Sequence, residues 1–157
     1  MEQRLNAFSK DNKGIKTLLG LGGYIAKSSI EQSLSELISF RVSQINGCAF
    51  CLDMHSKDWR AHGESEQRLY LLNAWREASC YSDRERAALA WAEAVTQLQN
   101  KAVPDEVYNQ ARKQFSEDEL IDLTLAVIAI NSFNRLNIAF KTPAGNYVPG
   151  QFASILN

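Results

Sequence analysis

Cys48-Ala-Phe-Cys51 is the segment of this 157-residue chain best equipped for chemistry. Two cysteines so spaced can cycle between dithiol and disulfide, and His55 follows Cys51 by one helical turn. A helix advances about 100° per residue, so Cys48, Cys51 and His55 fall within about 60° of one another and form one stripe. Trp59 continues the stripe, either as core packing or as a wall against water. With Cys48 at the start of its helix, free N–H groups and the helix dipole favour an anion. CxxC thiols accordingly reach pKa values of roughly 3.5 to 7.5, against about 8.5 for a free cysteine. A drop from about 8.5 to about 7 raises the thiolate fraction at pH 7 some sixteenfold, while a Brønsted slope near 0.45 removes about fivefold in nucleophilicity. The net gain is about threefold, so positioning and proton transfer must supply the rest. His55 is the natural shuttle, taking a proton from the attacking sulfur and delivering one to the departing oxygen.

Competing uses of the pair fail on spacing. A zinc site would need His62 as a further ligand, but Cys48 and His62 would lie about 21 Å apart along a straight helix, and ligand bonds are only about 2.0 to 2.3 Å long. His62 reads instead as a solvated residue at a helix end. Covalent haem attachment requires His directly after the second Cys, where Leu52 stands, and a thioredoxin-type CxxC requires βαβ patterning. No metal and no cofactor are therefore expected. Cys80 lies outside the stripe and reads as a bystander.

The elements that must position the stripe are helical. Apolar residues recur every three or four positions, with little alternation, which predicts an all-α chain. Ile30, Leu34, Leu37, Ile38, Val42 and Ile45 mark a helix entered at Ser28 with Glu31 as a capping box and ending near Asn46-Gly47. A second helix is predicted from about Cys48 to His62, closed by Gly63. Leu69, Leu72 and Trp75 mark a third, and Ser82 with Glu85 caps a fourth through Ala87, Trp91 and Leu98. Pro104 opens a fifth through Phe115. Ser116 with Glu119 caps a long last helix reaching about Phe140. Its mixed end, with Asn131, Ser132, Asn134, Arg135 and Asn137 among apolar residues, predicts either a protein contact or a partly solvated helix. Leu18 to Tyr24, with three glycines, reads as weakly defined. On periodicity alone Glu36 falls opposite the apolar stripe, as a solvated residue.

Composition narrows the class. Lys and Arg number 17 against 18 Asp and Glu, leaving no basic excess for nucleic acid. The longest apolar run, Leu123 to Ile130, is far short of the roughly 20 residues a membrane span needs. Three cysteines are too few for a disulfide scaffold, and with no export signal evident a reducing, cytoplasmic setting is expected. One domain over residues 1–157 is predicted, with a core of about 31–140 and an irregular C-terminal arm over 141–157.

The segment from Glu36 through Arg41-Val-Ser-Gln-Ile-Asn-Gly47 and Cys48-Ala-Phe-Cys51 to His55 resembles the active-site signature of the alkylhydroperoxidase AhpD-like proteins, in the carboxymuconolactone decarboxylase superfamily. Asp83 to Trp91, Phe115-Ser-Glu117 and Asn134-Arg-Leu-Asn137 resemble later landmarks, so the likeness runs from about Glu31 to Phe140. It implies an AhpD-like helical domain of about six to eight helices with the CxxC at the N-terminus of a central one. It also implies a thiol-dependent hydroperoxide reductase: Cys51 would attack the peroxide, Cys48 would resolve the sulfenic acid to a disulfide, and His55 and Glu36 would relay protons. The partners implied are a hydroperoxide, a thiol reductant such as a dihydrolipoyl protein, and further copies of the chain in a trimer or hexamer. Phe50 stands where the best-known alkylhydroperoxidases carry a second His, which leaves the natural peroxide and reductant open. The alternatives are a dithiol redox sensor or assembly protein without turnover and, ranked below it because the cysteine pair is intact, a decarboxylase-like enzyme.

Overall fold

The computed structural model describes residues 2–9 and 11–152, and these contain seven α-helices and no strand. They are α1 (Lys13–Ile25), α2 (Gln32–Asn46), α3 (Ala49–Ala61), α4 (Glu66–Leu71), α5 (Asp83–Gln97), α6 (Asp105–Gln114) and α7 (Glu117–Ala139). Helix α4 runs on into a 3-10 turn at Leu72–Ala74. The all-α expectation holds, and α5 and α7 begin at the predicted capping boxes, where Ser82 and Ser116 accept from the N–H groups of Glu85 and Glu119.

Two local expectations are corrected. Ser28 and Glu31 form no capping box, because α2 starts later, at Gln32, with no side-chain cap on it. The Ser28 hydroxyl instead donates to the Ile25 carbonyl at the end of α1. The glycine-bearing stretch Leu18 to Tyr24 is helical, as part of α1. Asn12 caps that helix by accepting from the N–H groups of Gly14 and Ile15. The Tyr24 hydroxyl ties it to Asp122 of α7 at 2.7 Å. A cap and a long-range contact thus offset the low helix propensity of three glycines.

Helix α2 is the centre of the fold, with α3, α5 and α7 packed around it. Leu37, Ile38 and Val42 are fully buried, as are Leu72 and Leu89 from the elements opposite and Leu123 and Val127 of α7. Polar links fix α2 in register. Arg41 pairs with Glu93 of α5 at 2.7 Å, and the same carboxylate accepts from Trp75 at 2.9 Å and meets Arg76 at 2.7 Å. Burial opposes the charge on Glu93, yet these donors outweigh it and hold the carboxyl below its usual range. Toward α7, Asn46 donates to Asn131 and Asn134, and Asn134 donates to the Ser43 hydroxyl.

Candidate active site

Gly47 adopts the left-handed conformation (φ 69°) that ends α2, and the chain turns directly into α3. Cys48 is the N-cap of α3, its sulfur accepting from the Cys51 N–H at 3.4 Å. The Cys48 and Cys51 sulfurs are in disulfide contact, with Cα atoms 5.3 Å apart, inside the range a disulfide requires. Both residues are 1% exposed. The pair therefore lies at the positive pole of α3, shielded from bulk water.

The other predicted site residues divide. His55 follows on the stripe and is half-buried as a residue, but its Nε2 is sealed from solvent and has no hydrogen-bond partner. Burial pushes its imidazole down to about 4, with Asp58 acting weakly the other way, so the ring is neutral at pH 7. Trp59 packs against Phe40 in the core, with ring centroids 6.2 Å apart. Glu36 is not the solvated residue that periodicity alone gives. Its side chain is 13% exposed. Burial raises its pKa, against the lowering effects of His62 and Gln32. Its carboxylate hydrogen-bonds not to His55 but to His62, whose Nδ1 lies 2.6 Å from Oε1, and to Gln32 at 3.1 Å. The other oxygen, Oε2, is buried without a partner.

His62 is thus more than a solvated helix-end residue. It stands fourteen positions after Cys48, a spacing that returns it to the face of α3 carrying both cysteines and His55. Asn137 is a second residue that sequence reasoning did not assign. Its Nδ2 donates to Cys51 Sγ at 3.5 Å and to the Phe133 carbonyl at 2.9 Å, and its Oδ1 is buried and unpartnered. Its sequence signal was the run of asparagines at the end of α7. Asn131 and Asn134 turn inward to α2, and Asn137 turns to Cys51.

The arm after α7 carries no helix over residues 142–152 but is docked on the outer side of α3. Asp53 accepts from the Gly145 N–H at 2.8 Å, and Lys57 donates to the Gly145 and Tyr147 carbonyls. The Tyr147 hydroxyl donates to Asp58 at 2.8 Å. Burial and that carboxylate both raise the Tyr147 pKa. Phe152 lies against Phe50 and Tyr147. Phe50, where the second His of the best-known alkylhydroperoxidases would be, therefore joins an aromatic contact with the arm. The last part of the predicted arm, residues 153–157, lies outside the described residues. Cys80 is a free thiol, half-buried and apart from this stripe.

The sequence profile of the carboxymuconolactone decarboxylase family matches residues 15–94, a stretch that includes α2, α3, Glu36, both CxxC cysteines and His55. The chain belongs to this family. Within the superfamily it is AhpD-like. It is 44% identical over 146 residues to the uncharacterized protein YdfG of Bacillus subtilis (strain 168), covering 93% of this chain and 99% of that one. It is 30% identical over 118 residues to the uncharacterized protein YnjA of Escherichia coli (strain K12), covering 75% of this chain and 64% of that one. Among solved structures, a protein of unknown function from Agrobacterium tumefaciens, for which an AhpD antioxidant-defence role has been suggested, superposes with a TM-score of 0.88 at 37% identity. That match covers 93% of this chain and 100% of the other. Among the described residues of this family member, no helix is long and apolar enough to cross a membrane.

Proposed function

We propose that the protein reduces hydroperoxides, cycling Cys48 and Cys51 between dithiol and disulfide at the expense of an external dithiol. The observation that carries this reading is the contact between the two sulfurs within the first turn of α3, since one helical turn accommodates the oxidised half of such a cycle. The Cys51 thiolate attacks the terminal oxygen of R–O–OH and the O–O bond breaks. Sulfur keeps the OH as a sulfenic acid, and the alkoxide takes a proton to leave as ROH. The Cys48 thiolate then attacks the Cys51 sulfur, the S–O bond breaks, and hydroxide leaves with a proton as water. An external dithiol returns two electrons and two protons to the disulfide.

Proton handling falls to His55 and Glu36. In the reduced protein the imidazole one turn from Cys51 is the group placed to take the thiol proton, the thiolate left behind favouring the imidazolium against burial, and to pass that proton on to the alkoxide. Glu36, drawn toward its protonated form by burial, is a second proton store in contact with the half-exposed His62. A reducing, cytoplasmic setting belongs to this reading, because the dithiol must be regenerated at every turnover.

Self-association is part of the same proposal. On α7, Ile121 and Ile128 remain exposed with half-buried Leu125 between them, three apolar side chains in a row along one side of the helix. An apolar stripe on a helix is ordinarily covered, and a second copy of the chain would cover it.

The deciding experiment mixes reduced protein with cumene hydroperoxide, counts thiols lost, and then supplies dihydrolipoamide, thioredoxin or glutathione in turn. Continuous peroxide consumption with one of them is the expected result. Stoichiometric oxidation with no recycling would point instead to a redox sensor. No loss of thiols would end the dithiol reading.

A further inference from the structure

We propose that Asn137 is a catalytic residue of this site: its carboxamide N–H holds the Cys51 sulfur, and holds it more tightly as a thiolate than as a disulfide or a thiol. For its catalytic consequence this rests on the reading of Cys51 as the attacking sulfur.

Three observations carry it. First, the orientation of the amide is fixed. Nδ2 donates to the Phe133 carbonyl at 2.9 Å, and a flipped amide would set two oxygens against each other, so the group at 3.5 Å from Cys51 Sγ is a donor. Second, the side chain is not there to satisfy the backbone. The Phe133 carbonyl already accepts from the Asn137 N–H in the ladder of α7, so an apolar side chain would leave no carbonyl orphaned. Third, the amide is held at a cost. Asn137 is 5% exposed and its Oδ1 has no partner, a penalty of about 1 to 3 kcal/mol for a buried polar group.

What offsets that cost is the charge state of the sulfur. A disulfide or thiol sulfur is a weak acceptor, whereas a hydrogen bond to an ionised partner is roughly twice as strong as a neutral one. The N–H of Asn137 therefore favours the reduced, ionised form of Cys51, the form that attacks. It complements the Cys51 N–H on Cys48, so each sulfur of the pair has one fixed donor. The position is built from outside the turn: Asn46 and Ser43 of α2 grip Asn131 and Asn134, which sets the register of α7 and brings Asn137 to Cys51.

Other ionisable groups on the elements around Cys51 are accounted for. On α3, Cys48 and His55 share its stripe, Asp53, Lys57 and Asp58 are engaged with the arm, and Arg60 pairs with Glu66. On α2, Glu36 is held by His62 and Arg41 by Glu93. On α7, Arg135 is exposed and bonded to Asn131, Glu117 and Glu119 pair with Arg112 and Arg84, Asp118 is exposed, and Asp122 accepts from Tyr24 and Ser29.

The test follows the Cys51 thiolate by ultraviolet absorbance against pH in a Cys48→Ser, Cys80→Ser background, where it is the sole cysteine, and adds Asn137→Ala or Asn137→Leu. Loss of the donor should raise the Cys51 pKa by about one unit in the Ala variant. The Leu variant, close to Asn in size and without charge or donor, should raise it as far. Thermal melts identify which variants are folded, and the Leu variant decides alone should the Ala variant fail to fold. Titration curves that superimpose on the parent's would overturn the proposal. The readout involves no peroxide, so its failure is separate from a failure of the peroxidase reading.

Discussion

Glu36 of α2 and His62, the C-cap residue of α3, meet at 2.6 Å, across the two helices that flank the CxxC. The pair joins a nearly sealed carboxyl to an imidazole that is half in water. Burial raises the Glu36 pKa in the folded protein, so the fold prefers this carboxyl protonated. Its contribution is full below the ordinary glutamate range and is lost as pH rises through the raised value. Glu36→Gln, a mimic of the protonated form, should therefore melt above the parent at pH 7, and the advantage should vanish near pH 4. Melting curves from pH 4 to 8 decide it: a constant gap, or none, contradicts the assignment.

His55 has the opposite sign. Its folded value of about 4 lies below the ordinary 6.5, so the unfolded chain takes a proton that the fold refuses. Stability should fall as pH drops from about 6.5 to about 4, by about 3 kcal/mol at most, and His55→Gln should flatten that decline. Urea unfolding at pH 7, 5.5 and 4.5 measures it, and a mutant declining as steeply as the parent would show the ring is not buried neutral.

What the sequence disclosed follows the range of the interactions involved. The capping boxes at Ser82 and Ser116 and the left-handed stop at Gly47 are settled within a turn of chain, and each is found where the pattern puts it. Ser28 with Glu31 has the same spacing, yet the Ser28 hydroxyl is claimed by Ile25 of the preceding helix. The stripe argument put Glu36 in solvent because it assumes one covered face, whereas α2 is enclosed by α3, α5 and α7. The CxxC and His55 stripe was legible because it lies on one helix. His62 on Glu36 and Asn137 on Cys51 are pairings across helices, set by the docking of α3 and α7, and only the structure brings them into view.

The cysteines should separate by role. Cys51→Ser should abolish peroxide reduction. Cys48→Ser should still consume one equivalent and then stop, leaving a sulfenic acid that a dimedone adduct reveals by mass. Should Cys48→Ser be inert and Cys51→Ser form the adduct, the attacking and resolving sulfurs must be exchanged.

Self-association should depend on the outer side of α7. Ile128→Arg places a charge where an apolar surface would be covered, and it should shift the sedimentation coefficient toward monomer while leaving the helical spectrum intact. A parent protein that is already monomeric at micromolar concentration would remove the need for a second copy.

The arm offers a test of how firmly α3 is clamped. Tyr147 is 7% exposed and its hydroxyl donates to both oxygens of Asp58, at 2.8 and 3.0 Å. Hydrogen bonds to a charged partner contribute about 1.5 to 3 kcal/mol, and Tyr147→Phe removes this one while keeping the ring that packs on Phe152. The variant should lose about that much stability in urea, with an unchanged dependence on denaturant. Because Asp53, Lys57 and Asp58 all lie on the helix that begins at the CxxC, loosening the arm should also raise the rate at which iodoacetamide reaches the reduced cysteines. An unchanged alkylation rate alongside the lost stability would mean that the arm braces the fold without restraining the turn that carries the sulfurs.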